Sequence, residues 1–343
     1  MGFSEKLIMW YKQNQRDLPW RKTTDPYKIW LSEIILQQTR VNQGLNYYTK
    51  FLKKHPTIES LAASSEKNIL NLWQGLGYYS RARNLHFTAK YISTELNGVF
   101  PTAHQDILKL KGIGEYTAAA ISSFAYKEAY PVIDGNVYRV ISRIFGVENA
   151  MDSTAGKKIF KKIATELIDT KNPDTYNQAI MEFGALQCKP KSPNCEDCPF
   201  LLECFAYKNK LIAVLPKKEK KIKQRVRFFN YVVIIHENNI YLNERKGKDI
   251  WQGLYDFPVF ETKEQLTSYP LLEKEFTPLE LRLRNQSTAY KHILSHQKIY
   301  ATFWLVSSSK PENIDVKFNK IALNEINNFP VPKLIEIYLK TIL

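Results

Sequence analysis

Two carboxylates, a glycine turn and a group of thiols are the parts of this 343-residue chain whose types and spacing could do chemistry. Glu33 lies in IWLSEIILQQT (29–39), where helical spacing sets Ile29 and Leu36 beside it at i−4 and i+3. A carboxyl among such neighbours is poorly hydrated, and desolvation raises its pKa toward the range of a general acid. Periodicity by itself slightly favours a glutamate on the helix surface. Asp134, in YPVIDGNVYRVISRIFG (130–146), precedes a helical run and reads as an N-cap. Spacing alone establishes neither acid as catalytic.

The stretch KGIGEYTAAAIS (111–122) follows AHQDILKL (103–110), itself helically spaced, so the glycines form a turn between two helices. A glycine turn that opens a helix presents backbone N–H groups to an anion. The strand and third glycine of a dinucleotide fingerprint are missing, as is the Gly-Lys-Ser/Thr of a P-loop. A phosphate on a polymer suits this geometry better. All four cysteines fall in Cys188-x6-Cys195-x2-Cys198-x5-Cys204. A disulfide framework would spread its cysteines, whereas this clustering argues for one metal centre. Zinc and an iron–sulfur cluster both accept four thiolates, and the spacing leaves both open.

The elements that must hold these groups change character along the chain. Residues 1–206 read as successive helices with short connections, among them SEKNILNLWQG (65–75), AGKKIFKKIATELI (155–168) and TYNQAIMEFGAL (175–186). PKKEKKIKQRVR (216–227) is dense in lysine and arginine and marks a basic linker over 207–226. Then FFNYVVIIHENNIYLNER (228–245) gives two strand-like runs about a turn, KIYATFWLVSS (298–308) another strand, and VPKLIEIYLKTI (331–342) a closing helix. The expected organisation is an all-α domain over 1–206, with a helix–hairpin–helix over 103–125 and a cysteine loop over 188–204, followed by an α+β domain over 227–343.

Lysine and arginine total 49 against 34 acidic residues, a net charge of +15 that suits a polyanionic partner. No apolar run approaches a bilayer span, and MGFSEKLIMWYKQ lacks a signal-peptide core. Lys6 stands where a myristoylation signal expects Ser or Thr. A soluble, cytoplasmic protein is the expectation.

In combination, LKGIGEYTAAAI, VIDGNVYRV and the cysteine spacing resemble the helix–hairpin–helix DNA glycosylase superfamily. WLSEIILQQTRV and WQGLGYYSRARNLH narrow the resemblance to the MutY-type adenine DNA glycosylases. It covers nearly the whole chain and is densest from 18 to 204. The family excises adenine mispaired with 8-oxoguanine or guanine in double-stranded DNA, flipping the base out of the duplex. The resemblance implies a bacterial, nucleoid-associated monomer with a [4Fe–4S] cluster on Cys188, Cys195, Cys198 and Cys204, and names no protein partner.

It also assigns roles. Glu33 matches the acid that protonates adenine N7 and later helps to activate water, and Asp134 the carboxylate that stabilises the developing sugar cation. Asn136 and Tyr116 match supporting residues at the reaction centre. Trp20, Arg21, Leu36 and Gln178 would line the adenine pocket. Gln38 and Tyr78 would wedge into the duplex, with Thr39 beside them, while Lys111, Gly112 and Gly114 would meet a backbone phosphate. For Trp20, Leu36 and Tyr78 the residue types alone suggest core packing. Endonuclease III-type relatives carry a nucleophilic lysine at the position of Tyr116. A tyrosine cannot form a Schiff base, so the chain reads as monofunctional.

The C-terminal domain resembles the family's Nudix-related domain. GLYDFPVFETKEQLTS (253–268) lacks the clustered Arg and Glu of a Nudix catalytic box, which implies recognition rather than hydrolysis. The family's Phe-Ser-His loop, which senses 8-oxoguanine, becomes Leu294-Ser295-His296 here, so Ser295 and His296 fit and Leu294 departs. Two other readings compete: a non-catalytic DNA-binding protein, and a thymine or oxidised-pyrimidine glycosylase of the same superfamily. The Glu33–Asp134 pair weighs against the first. The Glu33 motif and the C-terminal domain weigh against the second.

Overall fold

The computed structural model describes residues 1–219, 224–268, 280–308, 314 and 318–343. Its helices in chain order are α1 (Phe3–Asn14), α2 (Pro26–Leu36), α3 (Val41–Lys54), α4 (Ile58–Ala62), α5 (Glu66–Trp73), α6 (Ser80–Glu95), α7 (His104–Lys109), α8 (Glu115–Tyr126), α9 (Gly135–Phe145), α10 (Thr154–Leu167), α11 (Pro173–Leu186) and α12 (Phe205–Lys208). Eight strands follow among the described residues, β1 (Arg225–His236), β2 (Asn239–Glu244), β3 (Tyr255–Asp256), β4 (Val259–Thr262), β5 (Leu281–Gln286), β6 (Tyr290–Ile293), β7 (Gln297–Ser308) and β8 (Asn319–Ala322), and the chain closes on α13 (Lys333–Ile342). Two compact units form: Met1–Ala63 with Phe87–Lys220, and Ser64–His86 with Lys221–Leu343. No helix among the described residues is long and apolar enough to cross a membrane.

In the first unit, α1, α9, α10 and α11 close on a core that contains Leu7, Val140, Ile141, Phe160, Ile180 and Phe183. Helix α2 starts where Asp25 accepts a hydrogen bond from the Tyr27 amide and Pro26 fits the first turn. Its residues Ile29 through Ile35 are all buried, as expected of a helix apolar on every side. The weak periodicity around Glu33 follows from this: the helix has no solvent face for a surface glutamate. Helices α7 and α8 are joined by a tight turn in which Gly112 has φ +83°, a backbone region that L side chains rarely adopt.

The second unit is built on a sheet ordered β3-β2-β1-β7-β5, with β4 also paired to β1, β6 to β7 and β8 to β2. The long strands β1 (Arg225–His236) and β7 (Gln297–Ser308) run parallel, Arg225 opposite Gln297 through Ile234 opposite Val306. The expected hairpin is formed by β1 and β2 (Asn239–Glu244), closed by Glu237-Asn238, with the first strand beginning at Arg225. Alternate side chains of β1 and β7 serve two faces. Val232, Ile234, Trp304 and Val306 share one cluster, while Tyr231 and Phe303 stack at 5.0 Å on the side where Tyr338 of α13 stacks on Phe303 at 3.9 Å.

One segment joins a different core from the one its helical character suggests. Residues 64–86 fall within the expected helical domain, yet they pack with the sheet. The Asn71 amide donates to the Asn327 carbonyl (3.1 Å), Gln74 accepts from the Val331 amide (3.2 Å) and the Arg83 guanidinium donates to the Gln252 carbonyl (2.6 Å). Helix-forming sequence fixes what an element is; these long-range polar partners fix which core it serves. The start of the expected linker is tied into the first unit, Lys217 donating to Glu148 (2.7 Å), and residues 220–223 of that linker lie outside the described residues.

Candidate active site

A cavity of about 240 Å³ opens among α2, α8, α9 and α11 of the first unit. Glu33 from α2, Tyr116 from the first turn of α8, and Asp134 and Asn136 from the start of α9 line it together. Glu33 is only 6% exposed. Burial pushes its carboxyl up to about 7, opposed by a hydrogen bond with Tyr116 and supported by the charge of Asp134. The Tyr116 hydroxyl, raised well above its usual range by burial, also donates to the Met181 sulfur at 3.2 Å.

Asp134 is the N-cap of α9, as its sequence setting suggested. One carboxylate oxygen accepts from the amides of Asn136 and Val137, both at 2.8 Å. The other accepts from the Asn136 side chain at 2.7 Å. Burial raises its pKa, and the hydrogen bonds from Val137 and Asn136 oppose that rise. Capping and facing the cavity are therefore compatible: the cap bonds aim the carboxylate. Behind it, Arg139 donates to Asn136 Oδ1 (2.8 Å), to the Gly184 carbonyl (2.6 Å) and to the Cys188 carbonyl (2.7 Å).

The residues expected to line an adenine pocket, Trp20, Arg21, Leu36 and Gln178, border the same cavity, and so does Thr39. Trp20 meets the core reading as well, buried edge-to-face against Tyr48 at 5.2 Å. Gln178 accepts from the Tyr11 hydroxyl at 2.7 Å. Two charged residues of the cavity escape the sequence reading, Glu182 and Arg16. Glu182 is 1% exposed, and it accepts from the Arg16 amide (2.9 Å), from the Arg16 guanidinium (2.9 and 2.5 Å) and from Arg21 (3.0 and 2.8 Å). Burial alone would raise its pKa, but the hydrogen bonds from Arg16 and Arg21 prevail and hold it near 2. The available signal was its place four residues after Gln178, on the same face of α11.

The four cysteines line one small pocket with Ile144, Phe183 and Leu201. Buried Arg143 ties that loop down by donating to the carbonyls of Lys189 (2.7 Å), Pro190 (3.1 Å), Ile212 (2.7 Å) and Leu215 (3.1 Å), and it reaches Cys188 Sγ at 3.5 Å. Four thiols lining one pocket, with a guanidinium against one sulfur, supply the donor chemistry of a thiolate-bound metal centre, although among the described residues the sulfurs are not gathered as a metal-ion site.

Of the residues expected to touch DNA, exposed Gln38 follows α2 in the left-handed region at φ +54°. Lys111, Gly112 and Gly114 form the exposed α7–α8 turn, with the Lys111 ammonium over the Phe87 ring at 4.1 Å. No heavy atom lies within 4 Å of where a Cβ on Gly114 would sit, so the start of α8 is open. Tyr78 and Ser295 belong to the second unit. Ser295 and His296 are the tip of the hairpin between β6 (Tyr290–Ile293) and β7, closed by the Leu294 amide on the Gln297 carbonyl (2.8 Å). The Tyr78 and Ser295 hydroxyls are hydrogen-bonded to each other. Residues 253–268 hold two short strands, Tyr255–Asp256 and Val259–Thr262.

Comparison with known proteins agrees with this architecture. Residues 31–167 match the helix–hairpin–helix superfamily of base excision DNA repair proteins, and residues 230–341 match the NUDIX domain. An adenine DNA glycosylase of Buchnera aphidicola subsp. Schizaphis graminum is 36% identical over 349 residues, covering 98% of each chain. The human adenine DNA glycosylase is 40% identical over 214 residues, 60% of this chain and 39% of that protein. Among solved structures, a thermostable thymine-DNA glycosylase superposes with a TM-score of 0.57 at 29% identity, over 60% of this chain and 95% of that one. An endonuclease III–DNA complex shares the fold of the helical part, with a TM-score of 0.53 at 20% identity over 61% and 94%. With the similarity to the Buchnera enzyme running from end to end and both domain types in the same order, this chain belongs to the adenine DNA glycosylase family of base excision repair enzymes.

Proposed function

We propose that the protein hydrolyses the N-glycosidic bond of adenine mispaired with 8-oxoguanine or guanine in duplex DNA. The observation that carries this reading is the pairing, in one cavity, of a carboxyl poised near neutrality with a second carboxylate fixed by an N-cap. Burial raises both carboxyls, but the cap hydrogen bonds oppose the rise at Asp134, which suits Glu33 to acid work and Asp134 to electrostatic work. Protonated Glu33 gives its proton to N7 of the flipped adenine, so the C1′–N9 bond breaks with the electron pair leaving on a neutral base. Asp134 faces the sugar cation that remains. Glu33, now a carboxylate, takes a proton from the water that adds at C1′, which regenerates the acid.

Arg21 and Glu182 supply the complement to adenine's Watson–Crick edge. An N–H of Arg21 suits the N1 acceptor, and the low-pKa Glu182, an acceptor only, suits the N6 amino group. Tyr116 offers no amine, so no covalent imine forms and the product is an abasic site. Cys188, Cys195, Cys198 and Cys204 would hold a [4Fe–4S] cluster; when bound, it supplies four covalent ties that fix the 188–204 loop. The α7–α8 turn receives a backbone phosphate at Gly112–Gly114. Ser295 reads the opposite base, whose 8-oxo form presents an N7–H donor where guanine has an acceptor.

The test is base release from duplexes that carry adenine opposite 8-oxoguanine, adenine opposite guanine, and thymine opposite guanine. Adenine release from the first two, with no strand cleavage by the protein alone, is expected. Release of thymine in place of adenine would overturn the reading.

A further inference from the structure

Tyr78 sits on an unusual piece of backbone. Between the end of α5 at Trp73 and the start of α6 at Ser80, Gly75, Gly77 and Tyr78 all have positive φ, at +96°, +73° and +48°. A tyrosine in the left-handed region is uncommon and persists only where neighbours over-determine it. Here the Trp73 indole donates to the Gly77 carbonyl at 3.0 Å, and Arg81 donates to the same carbonyl at 3.2 Å and to that of Leu76 at 3.5 Å. The Arg81 guanidinium also lies over two rings, 5.1 Å from the centroid of Trp73 and 5.7 Å from that of Tyr78. Burial lowers its pKa to about 10, so the cation survives at neutral pH. The Tyr78 ring is nevertheless 40% exposed, and its hydroxyl is engaged by Ser295.

We propose that Arg81 is a positioning residue for discrimination of the base opposite adenine, fixing the 75–78 turn so that the Tyr78 hydroxyl orients Ser295. The guanidinium is suited to this because its planar fork can hold carbonyls and a ring face at once, which an ammonium cannot. It acts through Tyr78 and touches no reacting atom. The inference rests on the lesion-reading role proposed for Ser295.

The experiment compares wild type, Arg81→Lys, Tyr78→Phe and the double variant in single-turnover excision of adenine opposite 8-oxoguanine and opposite guanine. Hydrogen exchange of the 74–80 peptide is measured on the same four proteins. Arg81→Lys should lower the 8-oxoguanine-to-guanine rate ratio by about tenfold, through the 8-oxoguanine rate, and speed exchange in that peptide alone. The double variant should lose no more of the ratio than the more severe single variant, because both act on one link. A wild type without preference for 8-oxoguanine would reject the lesion-reading role itself, and unchanged exchange in Arg81→Lys would then still reject the brace. Given a wild-type preference, an unchanged ratio, an equal fall in both rates or additive losses would overturn the positioning role.

Discussion

Glu182 and Arg21 face each other as a bidentate pair, Oε1 accepting from Nη1 at 3.0 Å and Oε2 from Nη2 at 2.8 Å. Arg16 grips the same carboxylate from another side, so one buried anion holds two cations at the wall of the cavity. Such an arrangement fixes the direction of N–H groups that a free arginine would leave mobile. Glu182→Gln leaves two guanidinium groups without their counter-charge, and removing one partner of a buried pair costs about 3–5 kcal/mol. The variant should melt lower, and its affinity for adenine-containing substrate should fall while an abasic-site duplex binds as before. Equal weakening on both duplexes would remove the pair from base recognition.

Protonation of Glu33 serves stability and, in the proposed reaction, activity alike. Its carboxyl is raised from an ordinary 4.5 to about 7 in the fold, so the folded state binds more protons than the unfolded chain between those values. Stability from this group is full below about 4.5 and is lost as pH rises through about 7, an effect of about 3 kcal/mol. Glu33→Gln removes the proton donor and should abolish adenine release, while its melting temperature exceeds that of the wild type at alkaline pH and converges with it on acidification. The wild-type single-turnover rate should fall as pH rises past about 7, since the acid form is the reactive one. A rate indifferent to pH across that range would deny Glu33 the acid role.

Asp134 performs as a cap and, in the proposed reaction, as a charge, and two substitutions separate these. Asn caps helices about as well as Asp, so Asp134→Asn should melt near the wild type yet lose at least about a hundredfold in excision rate. Asp134→Ala should lose activity and, in addition, about 0.5–2 kcal/mol of stability. Normal turnover by the asparagine variant would reduce Asp134 to a helix cap.

The cysteine loop and the cavity share a polar connection, Asp134 to Asn136 to Arg139 to the Cys188 carbonyl. The purified protein should be yellow-brown and contain iron. Cys198→Ser should lose the colour and, by loosening the 188–204 loop, weaken duplex binding. Colourless protein holding stoichiometric zinc would refute the cluster.

What the sequence disclosed and what it hid have physical reasons. Glu33 emerged from a motif rather than from periodicity, because α2 is buried around its circumference and has no polar face to set the phase. Glu182 was hidden because a lone glutamate in TYNQAIMEFGAL looks like any solvated helix residue; its meaning lies in Arg16 and Arg21, more than 160 residues away in sequence. The β1–β2 hairpin is local and was legible in HENN, whereas the parallel pairing of β1 with β7 spans about seventy residues and leaves no local mark. The allegiance of 64–86 was hidden for the same reason, since its partners Gln252, Asn327 and Val331 lie far along the chain.

That allegiance decides how the second unit should be tested. Deleting 227–343 would strip α5 and the Tyr78 turn of the residues they pack against, so lost discrimination could reflect a collapsed wedge rather than a missing reader. Ser295→Ala avoids this. The side chain stands at a two-residue hairpin tip whose backbone is closed by the Leu294–Gln297 bond and by the Arg225 amide on the His296 carbonyl at 2.8 Å, none of which needs the serine hydroxyl. The variant should fold as the wild type does. Losing one base-edge contact costs about 1–3 kcal/mol, so the preference for 8-oxoguanine over guanine should fall roughly ten- to a hundredfold. Excision opposite guanine should change little, because that base offers no N7–H for the hydroxyl to accept. Salt must be held constant across the comparison, since the phosphate contacts of so basic a chain vary steeply with it. An unaltered preference would move lesion reading to residues of the first unit, with Gln38 and Thr39 the next to substitute.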